Sequence, residues 1–172
     1  MDNRLSKPAG HARRLRDGRF SEPGRTYFLT KCVEGRRPLL TNPEPAEIII
    51  SSLVYFQHRR SIDLLAFVIM SNHYHALFTL REGNDLSSLM RRMGSVTANS
   101  IREITGERWN IWQDDGFYDH ACRDESEILS CAEYIEHNPV RHCLVEFAGE
   151  WPFSSAHPGR RHLLNWDDNA RV

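Results

Sequence analysis

The sequence has no long apolar run and few cysteines. Since a membrane-spanning helix needs about 18 or more consecutive apolar residues, and neither such a run nor an apolar N-terminal segment occurs, we expect no membrane span and no export signal. The four cysteines are Cys32, Cys122, Cys131 and Cys143. They form no C-x-x-C pair and no zinc-finger spacing, which is typical of reduced thiols. We therefore expect a cytoplasmic protein.

The sequence also lacks an overall charge that would attract a polyanion. Its 172 residues carry a formal charge of −1, with an isoelectric point near 6.8. The charge is unevenly spread, however: residues 1–25 hold seven basic residues against three acidic ones, and residues 110–138 hold one against eight. The first segment could follow a phosphate backbone and the second could attract a divalent cation. For either patch alone, a solvated surface is the simpler interpretation.

Apolar periodicity predicts seven elements in the order β-α-β-β-α-β-α. The predicted strands are 25–33, 62–70, 73–80 and 117–122, and the predicted helices are 43–58, 86–106 and one from Asp124 that ends at Pro139. This order predicts an α+β fold in a single domain. We expect an antiparallel β-sheet with helices packed on it in a split βαβ topology, the first two helices on one face.

The composition of the two ends predicts three regions. We expect a basic arm over residues 1–24, the folded domain over 25–148 and a C-terminal extension over 149–172. We expect this extension to be loosely structured, with its aromatic residues packed back on the domain.

Two histidines stand inside the apolar stretch FVIMSNHYHALFTL. Residues two apart on a strand point to the same side of the sheet, so His73 and His75 project together and Tyr74 faces the other way. Two imidazoles on one face are the minimum of a divalent metal site. The alternative is a pair of core histidines bonded to backbone carbonyls. The H-x-H spacing in an apolar strand favours the interpretation of both histidines as metal ligands.

The last predicted helix carries a second pair of polar residues. Tyr134 and Asn138 are four apart and therefore neighbours on one helix face. A phenol has a pKa near 10, so it needs assistance to act as a nucleophile. Taken without the histidines, such a tyrosine is more often an ordinary residue of an amphipathic helix, with its hydroxyl group in water.

Three stretches in this order resemble the REP-associated tyrosine transposases, which belong to the single-tyrosine HUH superfamily of single-stranded DNA transposases. They are VIMSNHYHALF, AEYIEHNPVRHCLV and WPFSS, and WQDDGFYDHACRD resembles the tryptophan-bearing segment before the tyrosine helix. The resemblance runs from about residue 25 to residue 155. It implies the ferredoxin-like topology of HUH endonucleases.

The resemblance also implies roles for four residues. His73 and His75 match the two histidines of the HUH motif, and Tyr134 matches the nucleophile that forms a 5′-phosphotyrosine. Asn138 matches the polar residue that completes the site for Mg²⁺ or Mn²⁺, where much of the superfamily has glutamine. Because asparagine is one methylene shorter, it must approach the ion more closely or bind through water, and His137 and His120 are alternative ligands.

The implied substrate is single-stranded DNA carrying palindromic REP hairpins, bound in the cytoplasm at the nucleoid. Phosphate contacts are expected from arginines of the arm and the long helix, and base stacking from tryptophan. These residues are Arg13, Arg14, Arg16, Arg19, Arg91, Arg92 and Trp112, with Trp109 and Phe117 as further stacking candidates. Tryptophans so spaced are as often core anchors. The REP-associated branch implies a monomer, with a helix-exchanging dimer as the alternative.

Two other functions remain open from the sequence. The first is a hairpin DNA-binding or regulatory protein that cleaves little or not at all. The second is an unrelated metal hydrolase, in which the histidines and an acid such as Asp119 or Glu136 activate water without a covalent link to DNA.

Overall fold

The computed structural model describes residues 21–114 and 116–165. Arg13, Arg14, Arg16 and Arg19 lie outside this part, so their expected role is a prediction only. The strands are β1 (Thr26–Cys32), β2 (Ile62–Ile69), β3 (His73–Leu80) and β4 (Tyr118–Ala121). The helices are α1 (Pro43–His58), α2 (Leu86–Thr105), α3 (Glu125–Glu136) and the single-turn α4 (Asn138–Arg141).

The four strands form one antiparallel sheet in the spatial order β2-β3-β1-β4. The neighbours β2 and β3 are consecutive in sequence, whereas the α1 crossover joins β1 to β2, with β3 lying between them in the sheet. This is the split βαβ arrangement, and the predicted α+β fold is confirmed. None of the helices within 21–114 and 116–165 has the length and apolar character needed to cross a membrane.

The sheet is covered on both faces. Between the sheet and helices α1 and α2 lies the helix-side core, which includes the fully buried Leu29, Leu53 and Phe78. Between the sheet and α3 lies a smaller one, the histidine-side core, which includes Leu77 and Ile135. Because side chains alternate along a strand, β3 contributes to both cores.

The end of α3 differs from the prediction. A single helix up to Pro139 was expected, but α3 ends at Glu136, His137 leaves the helical conformation with φ −87° and ψ 0°, and Asn138 begins α4. Pro139 is tolerated because it lies in the first turn of α4, where its missing N–H needs no partner. The chain therefore bends between Tyr134 and Asn138.

Residues 151–165 form a segment that we call the C-terminal strap. Its backbone bonds to the outer edge of β2, from Ile69 N–H to the Phe153 carbonyl (2.9 Å) and from Ser155 N–H to the Phe67 carbonyl (2.9 Å). The predicted loose structure is wrong for this segment, since β2 offers it an unpaired edge. Trp151 packs on the histidine-side core and Phe153 on the helix-side core, as predicted.

Candidate nuclease site on the sheet

His73 and His75 project side by side from β3. Their ring centroids are 4.8 Å apart and their planes are inclined by 74°. In the sheet, His75 lies opposite Thr30 and His73 opposite Cys32. Both rings lie on the face that α3 covers, because Leu77, two residues further on, belongs to the histidine-side core.

A polar side chain holds the Nδ1 atom of each ring. His73 Nδ1 is 2.7 Å from Asn72 Oδ1, and His75 Nδ1 is 2.8 Å from Thr30 Oγ1. Because an amide oxygen only accepts, His73 Nδ1 carries the proton and its Nε2 keeps a lone pair. Such contacts orient histidines for coordination through the opposite nitrogen.

Burial keeps both imidazoles neutral. It lowers the pKa of His73 to about 4, with the nearby charges of Arg36 and His142 acting in the same direction. It lowers the pKa of His75 to about 3, helped by the proximity of His73 and opposed by a hydrogen bond to the Leu29 backbone. The neutral form that binds a metal therefore dominates at neutral pH.

Tyr74, between the two histidines, has a structural role. It is 1% exposed in the helix-side core, and its hydroxyl donates to the sulfur of Met93 at 3.6 Å. Burial raises the pKa of this phenol well above its ordinary value. It is therefore unsuited to act as a nucleophile.

Tyr134 reaches the histidines from α3. Its ring centroid is 5.9 Å from that of His75 and 5.9 Å from that of Phe28, which in turn is 5.2 Å from His75. Tyr134 is 40% exposed, so its hydroxyl group belongs to an accessible side chain. The Arg141 guanidinium lies 4.9 Å from the ring centroid. An accessible phenol, an imidazole and a cation thus lie together.

Asn138, one residue beyond the bend, holds a polar atom with no protein partner. The residue is 2% exposed, and its Oδ1 is the one buried side-chain N or O atom in the described residues without a hydrogen bond. An orphaned buried carbonyl costs about 1–3 kcal/mol unless something else binds it. A cation would satisfy this oxygen.

No three His, Cys, Asp or Glu side chains in the described ranges are grouped in a way that could hold a metal ion. The expected ligand set includes an asparagine, so it falls outside those four residue types. Of the alternative ligands, His120 contacts Glu127 through Nε2 at 2.9 Å, whereas the exposed His137 contacts the Glu133 carbonyl through Nδ1 at 3.1 Å, a contact that does not involve its Nε2.

A family comparison agrees with this arrangement. Residues 24–138 match the family model described as IS200-like transposase, which covers more than half of the chain. The chain belongs to this transposase family. The REP-associated tyrosine transposase of Escherichia coli strain K12 is 30% identical over 140 residues, which cover 81% of each chain.

A solved structure supports the same family. The REP-associated tyrosine transposase bound to a REP hairpin superposes with a TM-score of 0.67 at 30% identity, covering 87% of this chain and 88% of that one. The predicted membership of the REP-associated branch is confirmed. As a member of this branch, the chain is an enzyme of the HUH tyrosine transposase class.

Of the residues predicted to bind DNA, the three within the described ranges lie away from the histidines. Arg91 and Arg92 are exposed on α2, on the opposite face of the sheet. Trp112 is 7% exposed, and its Nε1 donates to Thr97 Oγ1 at 3.0 Å. It is thus a core anchor with little surface to offer a base, whereas Trp109 is 72% exposed.

Four residues of the site were not predicted from the sequence. Thr30 and Asn72, which hold the imidazoles, come from the neighbouring strand and the hairpin turn. Arg141 lies over the Tyr134 ring, and His142 is close enough to His73 to lower its pKa. Two features of the sequence could have pointed to them: the polar Thr30 in the apolar β1 and the basic pair Arg141 and His142 after Pro139. Neither is specific without the strand register.

Proposed function

We propose that this transposase is a metal-dependent single-stranded DNA nicking and joining enzyme that works through Tyr134. The proposal is supported by one observation: the accessible phenol of Tyr134 lies against the pair of neutral imidazoles. Four residues after Tyr134, Asn138 adds a buried amide oxygen that has no hydrogen-bond partner. Each of these features is unfavourable or unnecessary for folding alone. Together they suit metal-assisted attack on a phosphate.

The donor set fits a divalent ion. His73 and His75 offer their Nε2 atoms and Asn138 its orphaned Oδ1, a mixture of nitrogen and oxygen ligands that suits Mn²⁺ and, with bound water, Mg²⁺. When bound, the ion supplies polarisation of the scissile phosphate and neutralisation of its charge. Thr30 and Asn72 fix the imidazole orientation in advance.

Tyr134 supplies the nucleophile. Its Oη attacks phosphorus, an O–P bond forms, and the bond from phosphorus to the 3′ oxygen breaks. The phenolic proton goes to solvent, and the leaving oxygen takes up a proton to become a 3′-hydroxyl. The 5′-phosphotyrosine conserves the phosphodiester bond energy, so a 3′-hydroxyl can reverse the step and join strands. Arg141 places a cation where the phosphate must approach Tyr134.

The proposed substrate is single-stranded DNA carrying a palindromic hairpin of the REP type. This rests on the solved relative, which is bound to a REP hairpin. We assign phosphate contacts to the exposed Arg91 and Arg92 and to the arginines of residues 1–24. The packing of Ala132 and Ile135 of α3 on its own sheet supports a site built from one chain, and we propose a monomer.

A covalent-adduct assay tests the proposal. Labelled hairpin DNA is incubated with the protein and Mn²⁺ or Mg²⁺ and analysed on a denaturing gel, where the wild type should form an adduct that Tyr134→Phe abolishes. Tyr118→Phe is the matched control, since Tyr118 is 55% exposed and lies opposite Thr30, on the same face of the sheet. Its adduct should match the wild type.

The other outcomes separate the alternatives. Binding without cleavage would support a hairpin-binding regulator instead. Cleavage that survives Tyr134→Phe would support water activation by a metal hydrolase and contradict the proposal.

A further inference from the structure

Two consecutive arginines of the C-terminal strap bind carboxylates on opposite faces of the sheet. Arg160 pairs with Glu47 of α1, on the face of the helix-side core. Arg161 pairs with Glu136 of α3, on the histidine face, at 2.9 Å. The strap therefore passes round the β2 edge and joins the two helix layers.

The bond to Glu136 is the more enclosed of the two. The Glu136 side chain is 11% exposed, against 42% for Glu47. Its Oε1 accepts from Arg161 Nη1 and from Ser155 Oγ at 2.8 Å. The carboxylate is the enclosed end of this pair, because the Arg161 side chain is 39% exposed. Removal of the cation would leave a nearly buried carboxylate with one partner fewer, which costs more than the loss of a partner by an exposed carboxylate.

Ser155 is itself fixed to the sheet. It is fully buried, its backbone N–H donates to the Phe67 carbonyl at 2.9 Å, and its hydroxyl accepts from Phe67 N–H at 3.1 Å. Glu136 is thus connected through one side chain to the backbone of β2. The last turn of α3 is tied to the sheet that carries the histidines.

The position of Glu136 along the chain makes this connection relevant to the site. Glu136 stands two residues after Tyr134 and two before Asn138, where α3 ends and the chain bends. The other end of α3 has its own support, since the Asp124 side chain accepts from Glu127 N–H at 2.9 Å. A shift of the C-terminal end of α3 would therefore move Tyr134 and Asn138 relative to the histidines.

We propose that Glu136, held by Arg161 and Ser155, is a positioning residue that fixes the nucleophile and the amide ligand against the histidine pair. The inference rests on the proposed function of Tyr134. It also assigns Glu136 a role other than the water-activating acid considered from the sequence, because its Oε1 is directed at the strap. Misplacing a reacting group by about 1 Å can slow a reaction about a hundredfold.

The test compares two neighbouring variants. Arg161→Gln removes the cation from Glu136, and Arg160→Gln removes the ion pair with Glu47 on the other face of the sheet. In single-turnover reactions with hairpin DNA and Mn²⁺, Arg161→Gln should slow adduct formation about tenfold to a hundredfold with unchanged DNA affinity. Arg160→Gln should react like the wild type, and Arg161→Lys should recover part of the rate because an ammonium can donate to the same oxygen.

Hydrogen exchange supplies a readout that does not depend on activity. Amides of residues 130–141 should exchange faster in the full-length Arg161→Gln protein than in the wild type or Arg160→Gln. Equal exchange in all three proteins would overturn the inference, as would a slower reaction explained entirely by weaker DNA binding. If the wild type forms no adduct, the proposed function fails, and the exchange data alone still decide whether Glu136 anchors α3.

Discussion

Replacing Asn138 by leucine should stabilise the metal-free protein while removing its response to metal. Asn138 is 2% exposed and its Oδ1 has no hydrogen-bond partner. Asn138→Leu keeps the branching and the number of side-chain heavy atoms and removes the buried polar atom, so the desolvation cost of that orphaned group disappears. The substitution therefore separates a folding cost from a functional gain.

The size of the gain follows from the cost of an unsatisfied polar group. Such a group costs about 1–3 kcal/mol, and in a chain of this length each 1 kcal/mol shifts the Tm by about 2–4 °C. In EDTA, Asn138→Leu should therefore unfold several degrees above the wild type. The assay is thermal and urea unfolding of both proteins at pH 8.

Addition of Mn²⁺ should make the wild type more stable than Asn138→Leu. A ligand at a hundred times its Kd stabilises the folded state by about 2.7 kcal/mol. The wild type should gain stability, whereas Asn138→Leu should gain little, having lost an oxygen ligand. Asn138→Asp supplies the opposite control: its buried charge should lower stability in EDTA and enlarge the gain from Mn²⁺.

Two results would refute this reasoning. If Asn138→Leu is less stable than the wild type in EDTA, Oδ1 is already satisfied in the folded protein. If it responds to Mn²⁺ as the wild type does, Asn138 does not contribute to metal binding.

Three further predictions concern the protein without DNA. Because burial lowers the pKa of His73 to about 4 and of His75 to about 3 from 6.5, the unfolded chain binds more protons as the pH falls below 6.5. The free energy of unfolding should then fall by up to about 1.4 kcal/mol per pH unit for each histidine, measured by urea unfolding between pH 7 and pH 4. Trp112→Ala should cost about 3–5 kcal/mol of stability, measured by urea unfolding, while hairpin affinity in a gel-shift assay stays unchanged. In thiol labelling with a disulfide reagent, the exposed Cys143 should react first, and Cys122, whose pKa burial raises to about 12, should react last.

Each of these three predictions would be contradicted by a specific result. A double variant with glutamine at positions 73 and 75 should show a shallower pH dependence, and an unchanged slope would contradict the assigned cause. Weaker hairpin binding by folded Trp112→Ala would restore Trp112 as a DNA contact. Labelling of Cys122 ahead of Cys143 would mean that β4 opens readily.

The fold followed from the sequence because its periodicities are regular. The alternation of His73–Leu80 places the histidines on one face and Tyr74 in the core, and a pattern of period two leaves no other arrangement. The long helix is bounded by Asp85, which caps its first turn, and by Gly106 with φ 70°. These local signals agree with the global packing.

The details of the site could not be predicted in the same way. The contacts of Thr30 and Asn72 with the imidazoles depend on strand register, which residue patterns alone do not set. The bend at His137 depends on packing of the following turn, although Pro139 predicted that the helix ends nearby. The strap has no strand-like alternation, and its order comes from bonds to the β2 edge and from Arg160 and Arg161.

The assignment of Tyr134, His73, His75 and Asn138 to their roles rests on the resemblance, and spacing supplied only the candidates. Spacing could show that two histidines share a face and that a tyrosine and an asparagine lie near each other on a helix. It could not bring the two pairs together, because some sixty residues separate them. The fold does so by laying α3 across the sheet, with Tyr134 against His75.

Mapping of the covalent adduct would identify the residue that attacks the DNA. The wild-type protein is incubated with single-stranded hairpin DNA and Mn²⁺, digested with nuclease and protease, and analysed by mass spectrometry. We expect one modified peptide, carrying a nucleotide phosphate on Tyr134. A modification on another residue such as Tyr118, or DNA cleavage with no modified peptide, would contradict it.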